Sequence, residues 1–342
     1  MTDSAPGLLH WPRLLRMLGD GEHPAAPWLA LAAGLTLASI APAQNKTNIF
    51  VATGPTAGVY YPLGGGLADV LTKHIPNLNA TAGTTDGSMA NLLLMGQGKA
   101  DVGFTMADAG WDAFKGQGKF EGKQLNVRAL MVLYPNRMHV VTVDGTGITK
   151  MSDLKGKRVS TGAPNSATQI MAYRVLEAYG IDPEKDIIRE RLDPGKSVDA
   201  IKDKKLDAFF WVGGVPTPAV TDLGATPGLK LRLIDHADAV EAMVKKYGPL
   251  YVKDAIPARA YPGQDSVNNI ATVWNVLVAD SKMSDQLAYD IVKTVFERKE
   301  DLVRVHAEAR NFEYKYQTPG AAVVPFHPGA LKYFAEKGIK IN

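Results

Sequence analysis

The 342-residue chain contains no cysteine, which excludes disulfides, thiolate metal sites and a cysteine nucleophile. It has no clustered run of Lys or Arg and a formal charge of only +3, which argues against nucleic acid as a partner. Its seven histidines, at positions 10, 23, 74, 139, 236, 306 and 327, never stand three to five apart, so no helix presents a local metal pair. Enzyme signatures are also missing. No G-x-G-x-x-G follows a strand, and no G-x-S-x-G elbow exists. Pro194-Gly195-Lys196-Ser197 ends like a phosphate loop, but the glycine required five positions before Gly195 is Glu190. No catalytic residue, cofactor or metal is therefore expected.

The length is about twice that of a typical domain, which makes two domains the natural expectation. With 46% hydrophobic and 21% charged residues, there is apolar material for real cores. The first 43 residues differ from the rest. Residues 28–40 are apolar and uncharged for 13 positions, too short for an ordinary membrane span but suited to the core of a signal peptide. Ala41-Pro42-Ala43 then forms a small-x-small cleavage site, leaving Gln44 as the first mature residue. Arg13 and Arg16 precede the apolar run but are followed by Asp20 and Glu22, and Met17 is an alternative start. An exported, periplasmic protein is expected, with residues 44–140 in a first lobe, 141–255 in a second, and 256–342 returning to the first.

The stretch at residues 49–71, IFVATGPTAGVYYPLGGGLADVL, reads as a strand, a glycine-punctuated loop, two tyrosines and a helix opening at Pro62. A second strand at 79–82, a helix capped by Ser88, a strand at 101–105 and a helix across 107–114 complete a βαβα pattern. Residues 125–143 are extended, with a break at Tyr134-Pro135, and the second half reads as a crossing between lobes. A comparable unit restarts at 157–161, with a helix over 166–179, a strand at 187–192, a helix capped by Ser197 and a strand at 206–212. Residues 269–279 offer the second crossing. The fold class is α/β: two lobes, each a mostly parallel sheet flanked by helices, with the ligand between them.

In open α/β sheets ligands sit beyond the carboxyl ends of the strands. Five turns rich in Gly, Ser, Thr and Asn fall there, at 54–61, 84–91, 105–108, 162–168 and 213–216. Singly, Ser88 and Ser166 read as caps, Tyr60 as a packing residue and Trp211 as core or cleft wall. Together, on two similar lobes, they read as the walls of one site. Helix N-termini favour anions, and three or four charge-assisted contacts of roughly 1.5–3 kcal/mol each would hold a carboxylate without a buried arginine.

Residues 53–71 (TGPTAGVYYPLGGGLADVL), 84–108 (TTDGSMANLLLMGQGKADVGFTMAD), 154–168 (LKGKRVSTGAPNSAT) and 261–279 (YPGQDSVNNIATVWNVLVA) resemble the TAXI solute-binding proteins, receptors of tripartite ATP-independent (TRAP) transporters. The resemblance implies a two-lobed periplasmic binding fold of type II. It would close on a small carboxylate such as glutamate, glutamine or 2-oxoglutarate and deliver it to membrane permease subunits. A monomer is expected. By position, the resemblance implies ligand contacts at Gly58, Tyr60, Tyr61, Ser88, Asn91, Asp108, Asn165, Ser166, Ala167, Thr168, Gly213 and Gly214. The family often has glycines where this chain has Pro55 and Ala57, and Gly-Ser-Gly-Thr where it has Asn165-Ser166-Ala167-Thr168. Two rivals stand beside this reading: a two-lobed enzyme, for which Asp108 is the one obvious acid or base, and a ligand-sensing module of a signalling system.

Overall fold

The computed structural model describes residues 46–341, so the expected export segment and its cleavage site lie outside the described residues. Strands β1 (Thr47–Ala52), β2 (Leu78–Gly83), β3 (Val102–Met106), β4 (Val127–Val143), β5 (Arg158–Ser160), β6 (Ile188–Glu190), β7 (Ala208–Gly213), β8 (Leu231–Leu233), β9 (Val252–Ile256) and β10 (Asn268–Asp280) join in one sheet. Its order is β2-β1-β3-β10-β4-β7-β5-β6, with β8 beside β4 and β9 beside β10. The pairs β1–β2, β1–β3, β5–β6 and β5–β7 are parallel, whereas β4 and β10 run antiparallel to their neighbours. Five helices fill the crossovers: α1 (Tyr60–His74), α2 (Ser88–Gly96), α3 (Ala107–Lys115), α4 (Ala167–Ala178) and α5 (Pro194–Lys202). The units β1-α1-β2-α2-β3 and β5-α4-β6-α5-β7 thus share one plan, each with its first strand in the middle. The fold is α/β and two-lobed.

The lobes are joined by the two longest strands. β4 pairs through Val127–Val132 with the end of β10, then through Arg137–Thr142 with β7. Nearly all of it is buried, because its mostly apolar sequence is covered on both faces. The break expected at Tyr134-Pro135 does not occur. Pro135 lies opposite Trp274, and the register of β10 slips between Trp274 and Val276. That bulge accommodates a residue with no N–H to give the ladder.

Helix starts depart slightly from expectation. α1 opens at Tyr60, and Pro62 sits inside its first turn, where its missing N–H has no intrahelical partner to lose. Gly87, at φ 107°, is the N-cap of α2, a backbone conformation that leaves the Ser88 side chain free for another role. Asp193, not Ser197, caps α5, its Oδ1 accepting the Lys196 N–H at 2.9 Å.

The triple glycine of α1 divides by environment. A Cβ on Gly64 would stand 2.3 Å from Thr53 Cγ2, and one on Gly66 would stand 2.7 Å from Val305 Cγ2. Gly65 faces nothing within 4 Å and is exposed. Gly65→Ala should therefore raise stability by about 1 kcal/mol, the helix-propensity difference, while Gly64→Ala lowers it. Urea denaturation of the two variants checks the contrast; equal effects would show that helix propensity alone governs this turn.

Candidate ligand-binding site

A cavity lies between the lobes at the carboxyl ends of the parallel strands, with about 370 Å³ of space free of protein atoms, part of it open to solvent. The β1–α1 turn contributes Pro55, Gly58, Val59 and Tyr60. The β2–α2 turn adds Asp86, Gly87 and Ser88, and Met106 ends β3. From the second lobe come Ser166, Ala167 and Thr168 at the start of α4, with Trp211, Val212 and Gly213 at the end of β7. Tyr134 and Asn136, on the crossing strand, complete the lining.

The electrostatics follow from the backbone. α1, α2 and α4 all begin at this cavity, and none has an acidic residue in its first turn. The amides of Tyr60, Tyr61, Ser88, Met89, Ala167 and Thr168 have no acceptor among the described residues. Three positive dipole ends and their unpaired N–H groups make the cavity favourable to an anion. No Lys or Arg lines it, and Asp86, exposed at the rim, is its one charged side chain.

Of the residues expected at the site, Gly58, Tyr60, Ser88, Ser166, Ala167, Thr168 and Gly213 line the cavity. The Ser88 hydroxyl oxygen accepts the Met106 N–H at 3.1 Å, which ties α2 to the end of β3. Tyr60 packs against Phe104, ring centroids 5.1 Å apart, and donates its O–H to Asn275 Oδ1. Burial pushes its phenol well above the ordinary value, Ser88 opposing and Asp108 adding, so it stays a neutral hydrogen-bonding group. Ser166 is the N-cap of α4, its Oγ accepting from Gln169 N–H and donating to Ala163 O. Thr168 Oγ1 accepts the Val212 N–H at 3.3 Å and so joins α4 to β7. At Gly213 a Cβ would meet Trp211 Nε1 at 2.3 Å, so only glycine lets the indole fold over the strand end.

The other five expected residues lie outside the lining. Tyr61, 40% exposed, points to solvent from the first turn of α1. Asn91 is fully buried and structural: its Nδ2 donates to Thr53 O (2.6 Å) and Phe104 O (2.7 Å), fastening the ends of β1 and β3. Asn165 adopts the left-handed region at φ 61°, which asparagine tolerates better than most side chains. It bridges the lobes, its Oδ1 accepting from Lys119 Nζ at 3.0 Å and its carbonyl from Ala90 N–H at 3.2 Å. Gly214 is a packing glycine against Glu308 and Tyr134.

Asp108 lies outside the lining and is not an accessible acid. It is wholly buried in α3, where Oδ2 accepts the Tyr251 O–H at 2.7 Å and lies 3.6 Å from the Arg174 guanidinium of α4. Asp112 meets the same guanidinium at 3.1 Å. Burial pushes the Asp108 carboxyl up, with Arg174 and Tyr251 pulling it back. Burial alone would lower the Arg174 value, but Asp108 leads the groups that hold it above the ordinary one. The cluster spans the two lobes. Among the described residues no group of three His, Asp or Glu could hold a metal ion.

The wall turns read from the sequence contain Pro55, Val59, Asp86, Gly87 and Met106, although none of these was singled out as a contact; Trp211 was weighed as core or cleft wall, and Tyr134, Asn136 and Val212 were missed. Behind Trp211, a neutral histidine positions the 213–217 turn. His139 Nδ1 lies 2.9 Å from Arg137 O, and since a carbonyl only accepts, Nδ1 carries the proton. Nε2 then accepts the Tyr261 O–H at 2.7 Å, and the same oxygen accepts the Thr217 N–H at 3.0 Å. Burial pushes His139 down to about 3 and the equally buried His236 to about 4. In the unfolded chain both take up protons near 6.5, so the unfolded state binds more protons at any pH between these values. Stability is complete above about 6.5 and is lost as pH falls towards the folded values. Unfolding free energy from urea titrations should drop by about 2–4 kcal/mol between pH 7 and 5. A flat profile over that range would mean that the two rings charge without penalty.

A sequence profile of the NMT1-like family matches residues 51–338. Among solved structures, a protein of Bordetella bronchiseptica RB50 superposes with a TM-score of 0.50 at 17% identity, covering 85% of this chain and 89% of its own. The periplasmic aliphatic sulphonate binding protein of Escherichia coli gives 0.45 at 14% identity, covering 78% and 79%. A binding protein component of an ABC phosphonate transporter from Pseudomonas aeruginosa gives 0.48 at 13% identity, covering 77% and 79%. The Bordetella structure shares the fold of this chain.

Proposed function

The chain belongs to the NMT1-like family, and on that premise we propose that it is an extracytoplasmic solute-binding receptor. Its lobes close over a small carboxylate and release it to a membrane transporter. The observation that carries this reading is the convergence of three helix N-termini, from both lobes, on one cavity without a cationic side chain. Micromolar affinity corresponds to about 8 kcal/mol. Three dipole ends at up to about 2 kcal/mol each, with hydrogen bonds to a charged group at roughly 1.5–3 each, reach that range after the entropy of association is subtracted.

The proposed ligand contacts are Gly58, Tyr60, Ser88, Ser166, Ala167, Thr168 and Gly213. The lobes are taken as residues 44–140 with 256–342, and 141–255; the crossing of β10 near Trp274 supports moving the return boundary further along the chain. Export to the periplasm rests on the segment before Gln44, and no described helix is long and apolar enough to cross a membrane. Within the receptor reading, TRAP permease subunits are the proposed partners, on the strength of the glycine-Tyr-Tyr-Pro element of α1. The enzyme reading loses its candidate acid, because Asp108 is held in an ion pair away from the cavity.

Calorimetric titration of the purified chain with small carboxylates and amino acids tests the proposal. Binding of one molecule per chain, with the ligand recovered unchanged, is expected. Chemical conversion of any of them, or no heat from all of them, would overturn it.

A further inference from the structure

The cavity floor carries polar groups that the fold leaves unpaired. Tyr134 and Asn136 are 0% and 1% exposed, both line the cavity, and neither Tyr134 Oη nor Asn136 Oδ1 has a hydrogen-bond partner among the described residues. Beside them, Asn275 Oδ1 accepts the Tyr60 O–H, and its buried Nδ2 is likewise unpaired. An unsatisfied buried polar atom costs about 1–3 kcal/mol, and phenylalanine and leucine would fill the same positions without that cost. Their place is also telling, since Tyr134 and Asn136 flank Pro135 where β4 passes from one lobe to the other. A ligand seated between closed lobes must rest on them.

The chemistry of this floor is neutral. A phenol and a carboxamide each offer at least one donor and at least one acceptor, whichever way the amide is turned. Burial holds the Tyr134 phenol well above its ordinary value, so it does not ionise. The guanidinium that follows in the chain, Arg137, is already engaged by Asp254 at 2.9 Å and Glu308 at 3.0 Å. A second carboxylate placed here would be desolvated with no cation to meet it.

Resting on the receptor reading above, we propose that Tyr134 and Asn136 form a specificity subsite for an uncharged hydrogen-bonding group at the far end of the ligand. The preferred solute is then a small carboxylate ending in a carboxamide or hydroxyl. The helix N-termini take its charged end, and the floor takes its neutral one. A second carboxylate is rejected for want of a cation, and an apolar end because it leaves the floor unpaired.

Isosteric probes test this directly. Succinamate, succinate and 4-methylpentanoate share a shape and differ only at the far end, as do glutaramate, glutarate and 5-methylhexanoate. Calorimetry on the wild-type chain should show the amide of the better-fitting series binding at least tenfold tighter than its apolar and carboxylate partners. Tyr134→Phe, which removes one oxygen, and Asn136→Leu should each shrink that ratio, and the double variant should bring it within about twofold. An apolar or dicarboxylate probe that binds the wild type as tightly as the amide, or a ratio that survives both substitutions, overturns the subsite while leaving the receptor reading intact. Failure of all six probes to bind overturns the subsite, and the receptor reading falls with it when the amino acids and other carboxylates of the wider titration also give no heat.

Discussion

Replacing Arg174 with methionine is expected to cost about 3–5 kcal/mol of folding stability, the usual result of removing one partner from a buried ion cluster. The guanidinium is 12% exposed and stands between Asp108 and Asp112 of α3, donates to Tyr251 and lies 4.4 Å from the centre of the Tyr247 ring. Without it, Asp108, with no exposed surface, has no cation to face. Asp108→Asn should cost less than half as much, because Arg174 keeps Asp112. The sign of the pH response identifies the cause. The Asp108 carboxyl is already raised by burial, and losing Arg174 raises it further, so the folded variant binds more protons than the unfolded chain. The deficit of the variant should therefore shrink as pH falls from 7 towards the carboxylate range, although the wild type itself loses stability over the same interval. Urea denaturation of both proteins at pH 7.5 and 5.5 measures this. A loss below about 1 kcal/mol would place the pair with ordinary surface ion pairs, and a deficit independent of pH would mean that lost packing, not an uncompensated acid, is responsible.

Gly58→Val should have the largest effect on binding. Gly58 lies in the β1–α1 turn of one lobe and faces the indole of Trp211, on β7 of the other. A Cβ there would stand 2.9 and 3.0 Å from two ring carbons, and Trp211 cannot swing aside freely because its Nε1 donates to Thr217 Oγ1 at 3.0 Å. The backbone of Gly58 is not in the left-handed region, and within its own lobe a Cβ would meet Pro55 O at 3.3 Å, a contact that a shift of a few tenths of an ångström in the turn relieves. What it obstructs is their approach. Alanine should weaken ligand binding at least tenfold, about 1.4 kcal/mol, and valine at least a hundredfold, with unliganded stability nearly unchanged. Calorimetry paired with thermal unfolding separates the two quantities. Undiminished affinity in Gly58→Val would mean that this turn and Trp211 do not meet when the ligand is held.

Much of the fold was legible because strand and helix periods alternate cleanly. The doubled βαβαβ plan shows in residues 88–104 and 197–210, and the sheet repeats it on either side of β4 and β10. The site was legible to the extent that turns at strand ends face one cleft. What a sequence does not reveal is the direction in which a polar side chain at such a turn points. Asn91 turns back to tie two strands, Asp108 turns away into an ion cluster, and Asn165 is there for its backbone conformation. Tyr134 and Asn136 were passed over because Pro135 reads as a break, and the bulge in β10 that tolerates it lies 139 residues further on, at Trp274. A signal was nonetheless present: Tyr134 and Asn136 interrupt an apolar run that the sheet buries on both faces.

The most direct test of a clamp closing on a carboxylate is a crystal structure of the chain grown with the tightest-binding solute from the titrations. The carboxylate is expected among the amides that open α1, α2 and α4, with the far end against Tyr134 and Asn136. Ligand density outside the cleft between Tyr60 and Thr168, or in a cleft whose lobes stay apart, would contradict the account.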